Sequence, residues 1–127
     1  MNIYLAAPWA HKETAREVAA VLEAEGFTLA SRWLREHKDS TDHRELQREA
    51  VNDLEDLDNS DVLVLLNLGK SDGKATEFGY AYRSQLPIIV VGSATGNVFY
   101  HLPTIYRVDT IEHAVRILHK GINRLMR

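Results

Sequence analysis

Short apolar runs alternate with amphipathic segments along the whole chain. A run that is apolar at nearly every position, such as residues 61–66, is typical of a strand buried on both faces of a parallel sheet. Apolar positions spaced three and four apart predict helices between the runs. The predicted strands are residues 3–6, 27–30, 61–66, 87–92 and 105–108. The predicted helices are residues 12–25, 42–59, 76–84 and 110–125.

Capping residues set several of the element ends. Thr41 or Asp42 is placed to cap the second helix, with Glu45 in the position of a capping box. Asp109 or Thr110 is placed to cap the last helix. Loops are predicted for residues 31–42, 69–73 and 93–103.

The alternation of strands and helices predicts a doubly wound α/β architecture for one domain over residues 1–127. We expect a flavodoxin-like or Rossmann-like three-layer sandwich around a mostly parallel, five-stranded sheet. Ligands of such folds bind beyond the carboxyl ends of the strands. The loops expected to hold a ligand are residues 6–9, 31–37, 67–77 and 92–102.

Composition narrows the classes of function. The 127 residues include no cysteine, which excludes thiolate metal sites and favours a reducing, cytoplasmic location. No apolar run approaches the ~18 residues of a membrane span, and the first residues do not resemble a signal peptide. The formal net charge of −3 argues against a duplex nucleic acid as partner. A small-molecule enzyme or binding module therefore remains.

Asp53 is an acid on the predicted core face of the second helix. At 100° per residue it lies about 20° from Leu46. The same face carries Leu46, Ala50 and Leu57, whereas three neighbouring acids are predicted to point away: Glu55, Asp56 and Asp58. A carboxylate on a core face must be paired, hydrogen-bonded or functional. Asp53 is therefore either an ion-pair partner of an arginine or part of a site.

Glu77 is a second candidate acid. It is predicted in the first turn of the helix that follows the central strand 61–66, where the helix dipole alone would favour a carboxylate. Its place at the expected ligand crevice favours a functional role as well. If Asp53 and Glu77 share one crevice, they form the kind of carboxylate pair that cleaves glycosidic bonds.

The turn Ser71-Asp72-Gly73 lies between a central strand and a helix, where free backbone N–H groups attract anions. An ordinary strand-to-helix turn would look the same in the sequence. Five aromatic residues, four of them near the predicted strand ends, are candidates either for base stacking or for the core. They are Tyr4, Trp9, Trp33, Tyr80 and Phe99.

Several common site motifs are missing from the sequence. Val64 stands where a P-loop ending at residues 69–71 would need glycine, and no G-x-G-x-x-G follows the first strand. Neither H-E-x-x-H nor G-x-S-x-G occurs. We therefore expect no metal and no cofactor.

Four segments together resemble the nucleoside 2-deoxyribosyltransferase family, which includes the 2′-deoxynucleoside 5′-monophosphate N-hydrolases. Residues 3–9 resemble the opening strand and loop of the family. Residues 52–61 are similar to its helix that carries a catalytic Asp, and residues 71–81 to its loop and helix with a catalytic Glu-x-Gly. Residues 87–90 match its following strand.

The resemblance implies that Glu77 is the nucleophile, that Asp53 holds the sugar or handles the proton of the departing base, and that Tyr4 orients Glu77. The bond cleaved would be the N-glycosidic bond of a 2′-deoxyribonucleoside or its 5′-monophosphate. A second base would then accept the sugar, in a transferase, or water would accept it, in a hydrolase. Both are retaining glycoside chemistry.

The sequence departs from the family pattern at several positions, and these positions favour different activities. Ala7 replaces the usual glycine of the opening loop, which approaches the ligand. Ser71 stands where the transferases often carry Asp, and with Gly73 it is similar to the phosphate-gripping loop of the hydrolases. Asn97 is more like the transferases than the serine that a neighbouring subunit supplies in the hydrolases. The same residues are also compatible with a non-catalytic nucleotide-binding module, or with cleavage of a ribose-containing or modified nucleotide.

A chain of this length offers only a shallow crevice at one sheet end, whereas a nucleoside needs most of its surface enclosed. We therefore predict a homo-oligomer, a dimer or higher, whose sites are completed across an interface by Asn97 or its neighbours.

Overall fold

The computed structural model describes residues 1–35, 40–93 and 96–121. The strands are β1 (Asn2–Ala6), β2 (Thr28–Leu29), β3 (Val62–Leu66), β4 (Ile88–Val91) and β5 (Tyr106–Val108). The helices are α1 (Lys12–Ala24), α2 (His43–Asp58), α3 (Asp72–Arg83) and α4 (Ile111–Lys120). Short 3-10 turns cover Trp9–His11, Arg32–Arg35 and Val98–His101. The predicted end of the last helix, near residue 125, lies outside the described residues.

The five strands form one parallel sheet in the order β2-β1-β3-β4-β5, which confirms the predicted fold class. β3 is buried at every position, as its continuous apolar run predicts. One face of the sheet packs against α1 and α4 and the other against α2 and α3, so the molecule has three layers.

Strand alternation decides which side chains of β1 face which helices. Ile3 and Leu5 pack on the side of α1 and α4, whereas Tyr4 and Ala6 pack on the side of α2 and α3. The hydroxyl of Tyr4 therefore lies between the two helices that carry Asp53 and Glu77.

The helix caps agree with the sequence in two places. Asp42 accepts a hydrogen bond from the backbone N–H of Arg44, and Thr110 accepts one from His113, so each of these residues caps its helix. Among the described residues, no helix is long and apolar enough to cross a membrane.

α3 begins four residues earlier than predicted. The side chain of Ser71 accepts a hydrogen bond from the backbone N–H of Lys74 and so caps a helix that starts at Asp72. The predicted loop over residues 69–73 therefore ends in the first turn of α3. Glu77 consequently lies in the second turn. The helix dipole stabilises carboxylates mainly in the first turn, so it does not by itself explain an acidic residue at this position.

The predicted core face of α2 is wrong at three positions, because Ala50 is exposed along with Leu46, and Asp56 is buried. Leu46 is 45% exposed, and Asp56, predicted to point away, is 5% exposed. α2 has 16 residues and spans about 24 Å, whereas β3 has 5 residues and spans about 17 Å. The first turn of α2 therefore extends past the end of β3, which accounts for the exposure of Leu46. Asp56 turns inward because it pairs with Arg32.

This correction predicts a difference between two leucines of one helix. Leu57→Ala removes a side chain that is 2% exposed, so we expect the free energy of unfolding to fall by about 2–5 kcal/mol. Leu46→Ala at an exposed position should change it by no more than about 0.5 kcal/mol. Urea unfolding of the two variants measures both values, and equal losses would contradict the exposed position of Leu46.

Candidate active site

A cavity of about 180 Å³ lies at the carboxyl ends of β1 and β3. It brings together most of the residues that the sequence selects, including both predicted catalytic carboxylates. The residues that line it are Ala7, Trp9, Trp33, Glu49, Asp53, Ser71, Gly73, Lys74 and Glu77. The position agrees with the rule that ligands of parallel α/β sheets bind beyond the strand ends.

Tyr4 and Glu77 form the central contact of this site. Tyr4 is fully buried in β1, and its hydroxyl donates a hydrogen bond to Oε2 of Glu77 on α3. Burial, followed by the negative charges of Glu77 and Asp53, raises the pKa of Tyr4 far above its usual value. Tyr4 therefore keeps its proton and acts as a fixed donor to Glu77.

The surroundings of Glu77 raise its pKa from 4.5 to about 8. Burial is the largest cause, the hydrogen bond from Tyr4 lowers the pKa, and the charge of Asp53 raises it. The charge of Asp53 reaches both Glu77 and Tyr4. The predicted carboxylate pair therefore shares one cavity and is electrostatically coupled.

Trp33 forms one wall of the cavity, and a side-chain network holds it there. Its indole N–H donates to the carbonyl of Leu5 at 2.7 Å, which ties it to the end of β1. The neighbouring Arg32 donates from its backbone N–H and from Nε to the carboxylate of Asp56, each at 2.9 Å. The rings of Trp9 and Trp33 lie 6.4 Å apart at 47°. The turn that carries Trp33 is thus fixed to both β1 and α2.

Lys74, in the first turn of α3, also lines the cavity and is only 3% exposed. Its Nζ donates to Oδ1 of Asn67 at 2.7 Å and to the carbonyl of Gly69. Asn67 in turn donates to the carbonyl of Ser93. Burial lowers the pKa of Lys74. This network joins the loop before α3 to the loop after β4.

The sequence reasoning assigned no role to Lys74, although a signal was present. Lys74 is four residues before Phe78 and seven before Ala81, both of which are buried. A lysine on the apolar stripe of a helix must satisfy its ammonium group inside the protein. The same argument that selected Asp53 on α2 would have selected Lys74 on α3.

Three predicted binding residues lie away from the cavity. Tyr80 donates from its hydroxyl to Asp58 at 2.7 Å, near the far end of α2. Asp72 and Asn97 line a neighbouring cavity of about 450 Å³, which also contains Ser71 and Lys74. The side chain of Asn97 caps the turn Val98–His101 by accepting from the N–H of Phe99 at 2.9 Å. Only Ser71 and Gly73 of the predicted anion-binding turn therefore line the cavity of Glu77.

Among residues 1–35, 40–93 and 96–121, no group of three or more histidine, aspartate or glutamate side chains is arranged to hold a metal ion.

Comparisons with known proteins identify a family and a fold. Residues 3–122 match the model of the nucleoside 2-deoxyribosyltransferase family. No curated protein matches the chain in sequence.

Solved structures share the fold at low sequence identity. A 2-deoxyribosyltransferase from the psychrotolerant bacterium Bacillus psychrosaccharolyticus is 20% identical, with a TM-score of 0.68 over 91% of this chain and 90% of that chain. A conserved protein from Enterococcus faecalis V583 is 16% identical, with a TM-score of 0.70 over 94% and 98%. The CMP N-glycosidase BcmB of Clostridium botulinum is 13% identical, with a TM-score of 0.59 over 94% and 99%.

The raised pKa of Glu77 predicts how stability depends on pH. The folded chain holds this proton up to about pH 8, whereas the unfolded chain releases it near pH 4.5, so the folded chain binds more protons between these values. The contribution of Glu77 to stability is therefore present below pH 4.5 and is lost as the pH rises towards 8. Glu77→Gln, which cannot ionise, should gain stability over the wild type as the pH rises.

Urea unfolding at pH 5, 6.5 and 8.5 measures this difference. Tyr4→Phe removes the hydrogen bond that favours the ionised form of Glu77, so the pKa of Glu77 should rise. The decrease in stability with rising pH should then continue to a higher pH in this variant than in the wild type. A difference between Glu77→Gln and wild type that stays constant with pH would contradict a buried, protonated Glu77.

Proposed function

Because the chain belongs to the nucleoside 2-deoxyribosyltransferase family, we propose that it cleaves the N-glycosidic bond of 2′-deoxyribonucleosides or their 5′-monophosphates and transfers the deoxyribose to another nucleobase. The family comprises enzymes that act on small nucleoside substrates. The observation that carries the proposal is the contact between Tyr4 and Glu77, with Asp53 in the same cavity.

The proposed reaction has two steps at C1′ of the sugar. In the first, a carboxylate oxygen of Glu77 bonds to C1′ while the bond from C1′ to the base nitrogen breaks. The base leaves with the electron pair and takes up a proton, which Asp53 supplies or relays. In the second, a nitrogen of the incoming base attacks C1′, the ester bond breaks, and the incoming base loses a proton. Nearby carboxylates favour the positive charge that develops on the sugar.

Tyr4 positions the nucleophile for this chemistry. Its hydroxyl holds one oxygen of Glu77, which leaves the other oxygen to attack C1′. The hydrogen bond also stabilises the ionised form that a nucleophile needs.

A hydrolase that transfers the sugar to water is the second candidate, and two observations support it. Ser71 and Gly73 line the cavity where a 5′-phosphate would extend, and the buried ammonium group of Lys74 lies beside them. A CMP N-glycosidase also shares the fold. A non-catalytic nucleotide-binding module would use the same cavity without releasing a base.

One assay distinguishes these activities. The protein is incubated with each of the four deoxynucleosides, their monophosphates, or CMP, with and without a second free base. A transferase forms a new deoxynucleoside, whereas a hydrolase forms free deoxyribose or its phosphate. Glu77→Gln should lower base release by at least about 100-fold because the nucleophile is lost. Full base release by Glu77→Gln would exclude the covalent mechanism, and no release at high protein concentration would favour a binding module.

We further propose that the chain forms a homo-oligomer with shared sites. Its cavity of about 180 Å³ is smaller than the roughly 300 Å³ at which small-molecule sites begin. Next to Asn97, the turn Val98–His101 exposes 78% of Val98 and 61% of Phe99. Adjacent exposed apolar side chains are typical of an interface, so this turn is the proposed segment that completes a neighbouring site. The cytoplasmic location favoured by the absence of cysteine stays a prediction.

Phe99→Asp tests the shared site. A charge in an apolar interface should dissociate the oligomer and lower base release by at least about tenfold at the same chain concentration. Light scattering and the base-release assay measure both effects. Val21→Asp on α1, where the wild-type side chain is also exposed, is the matched control. A wild-type monomer that is fully active at assay concentration would overturn the proposal.

A further inference from the structure

Glu49 is a third carboxylate in the cavity, and the proposed reaction does not use it. It lies on α2 one helical turn before Asp53, so the two side chains share a face. Glu49 is partly buried, although most side chains around it on α2 are exposed. The rise of an α-helix places it about 6 Å along the axis from Asp53, towards the N-terminal end of α2.

The residues that line the cavity come from two directions. We place Glu49 with the tryptophans, because α2 packs against the turn Arg32–Arg35 that carries Trp33. Ser71, Gly73 and Lys74 come from the start of α3, whereas Trp9 and Trp33 follow β1 and β2. With C1′ at Glu77 and the 5′ end of the sugar towards Ser71 and Gly73, the base extends towards the tryptophans. Glu49 then faces the edge of that base.

The side chains in this part of the cavity differ in what they can recognise. Indole rings stack on any base because every base has an aromatic face. The N–H of Trp33 is already bonded to the carbonyl of Leu5. The carboxylate of a glutamate such as Glu49 accepts hydrogen bonds and, when ionised, donates none. It therefore attracts a base edge that carries an N–H donor and repels one that carries a carbonyl oxygen.

We propose that Glu49 reads the base: it accepts a hydrogen bond from an exocyclic amino group and selects amino bases over keto bases. The substrate class is then the cytosine or adenine nucleosides or nucleotides rather than those of uracil, thymine or hypoxanthine. A carboxylate that pairs with a cytosine amino group is a known form of base recognition. This proposal rests on the proposed function, since it places the base of the substrate in the cavity.

Substrate pairs that differ at one ring position test the proposal. Deoxycytidine and deoxyuridine form one pair, and deoxyadenosine and deoxyinosine the other, each also as the monophosphate. For the wild type we expect kcat/KM to favour the amino member by about 5- to 150-fold, the range that corresponds to one specific base contact. Glu49→Gln should bring this ratio to about one or invert it, because an amide also donates to a carbonyl oxygen.

Glu45→Gln is the matched control, one turn earlier on α2 and not among the residues that line the cavity. It should keep the wild-type ratio. A wild-type preference for the keto members, or a ratio that Glu49→Gln leaves unchanged, would overturn the role of Glu49 while base release still supported the proposed function.

A second readout keeps the test independent of turnover. The chain has two tryptophans, and both line the cavity, so quenching of their fluorescence reports ligand binding. The amino member of each pair should bind more tightly to the wild type, and Glu49→Gln should remove that difference. Absence of base release together with this binding pattern would refute the proposed reaction but support the role of Glu49. Equal binding of both members would refute the role of Glu49.

Discussion

The hydrogen bond from Tyr4 to Glu77 joins the sheet to the helix that carries the proposed nucleophile, and the arrangement of the site depends on it. A buried carboxylate loses its hydrogen bonds to water, and this loss is costly unless protein groups donate hydrogen bonds in their place. The hydroxyl of Tyr4 does so from a strand that is buried on both faces. The result is a Glu77 that is neither freely ionised nor permanently neutral, with a pKa of about 8.

The parallel sheet makes this contact possible. β1 and β3 are neighbours and run in the same direction, so their carboxyl ends lie at one edge. Alternation along β1 turns Tyr4 towards α2 and α3, and a one-residue shift would turn it towards α1 and α4. α2 approaches the same edge because it is longer than β3, and its middle turns carry both Asp53 and Glu49. The first turn of α2, where Leu46 is exposed, thus leads directly into the turns whose Glu49 and Asp53 line the cavity.

Local signals allowed the sequence to predict the strands, two of the helix caps and the acidic pair. Continuous apolar runs and capping side chains act within a few residues, so they can be recognised without knowledge of the fold. The inward turn of Asp56 could not be predicted, because its partner Arg32 lies 24 positions away. Tyr80 was selected for its aromatic ring near a strand end, but its hydroxyl bonds to Asp58 on a neighbouring helix. Such pairings depend on how two helices pack, which periodicity within one helix does not specify.

Charge within the cavity limits where an anionic substrate can lie. Glu49, Asp53 and Glu77 contribute three carboxyl groups, and Lys74 contributes the ammonium group among the described lining residues. The net charge of the whole chain is −3, so no long-range field draws an anion to the site. The 5′-phosphate of a proposed monophosphate substrate would therefore lie against the start of α3, where backbone N–H groups and Lys74 offset the acids. The same distribution would leave the part of the cavity with Glu49 and the tryptophans to the neutral base of the proposed substrate. The charges of the cavity thus match a nucleoside monophosphate. The ammonium group of Lys74 suits the anionic phosphate, and the carboxylate of Glu49 suits a base with hydrogen-bond donors.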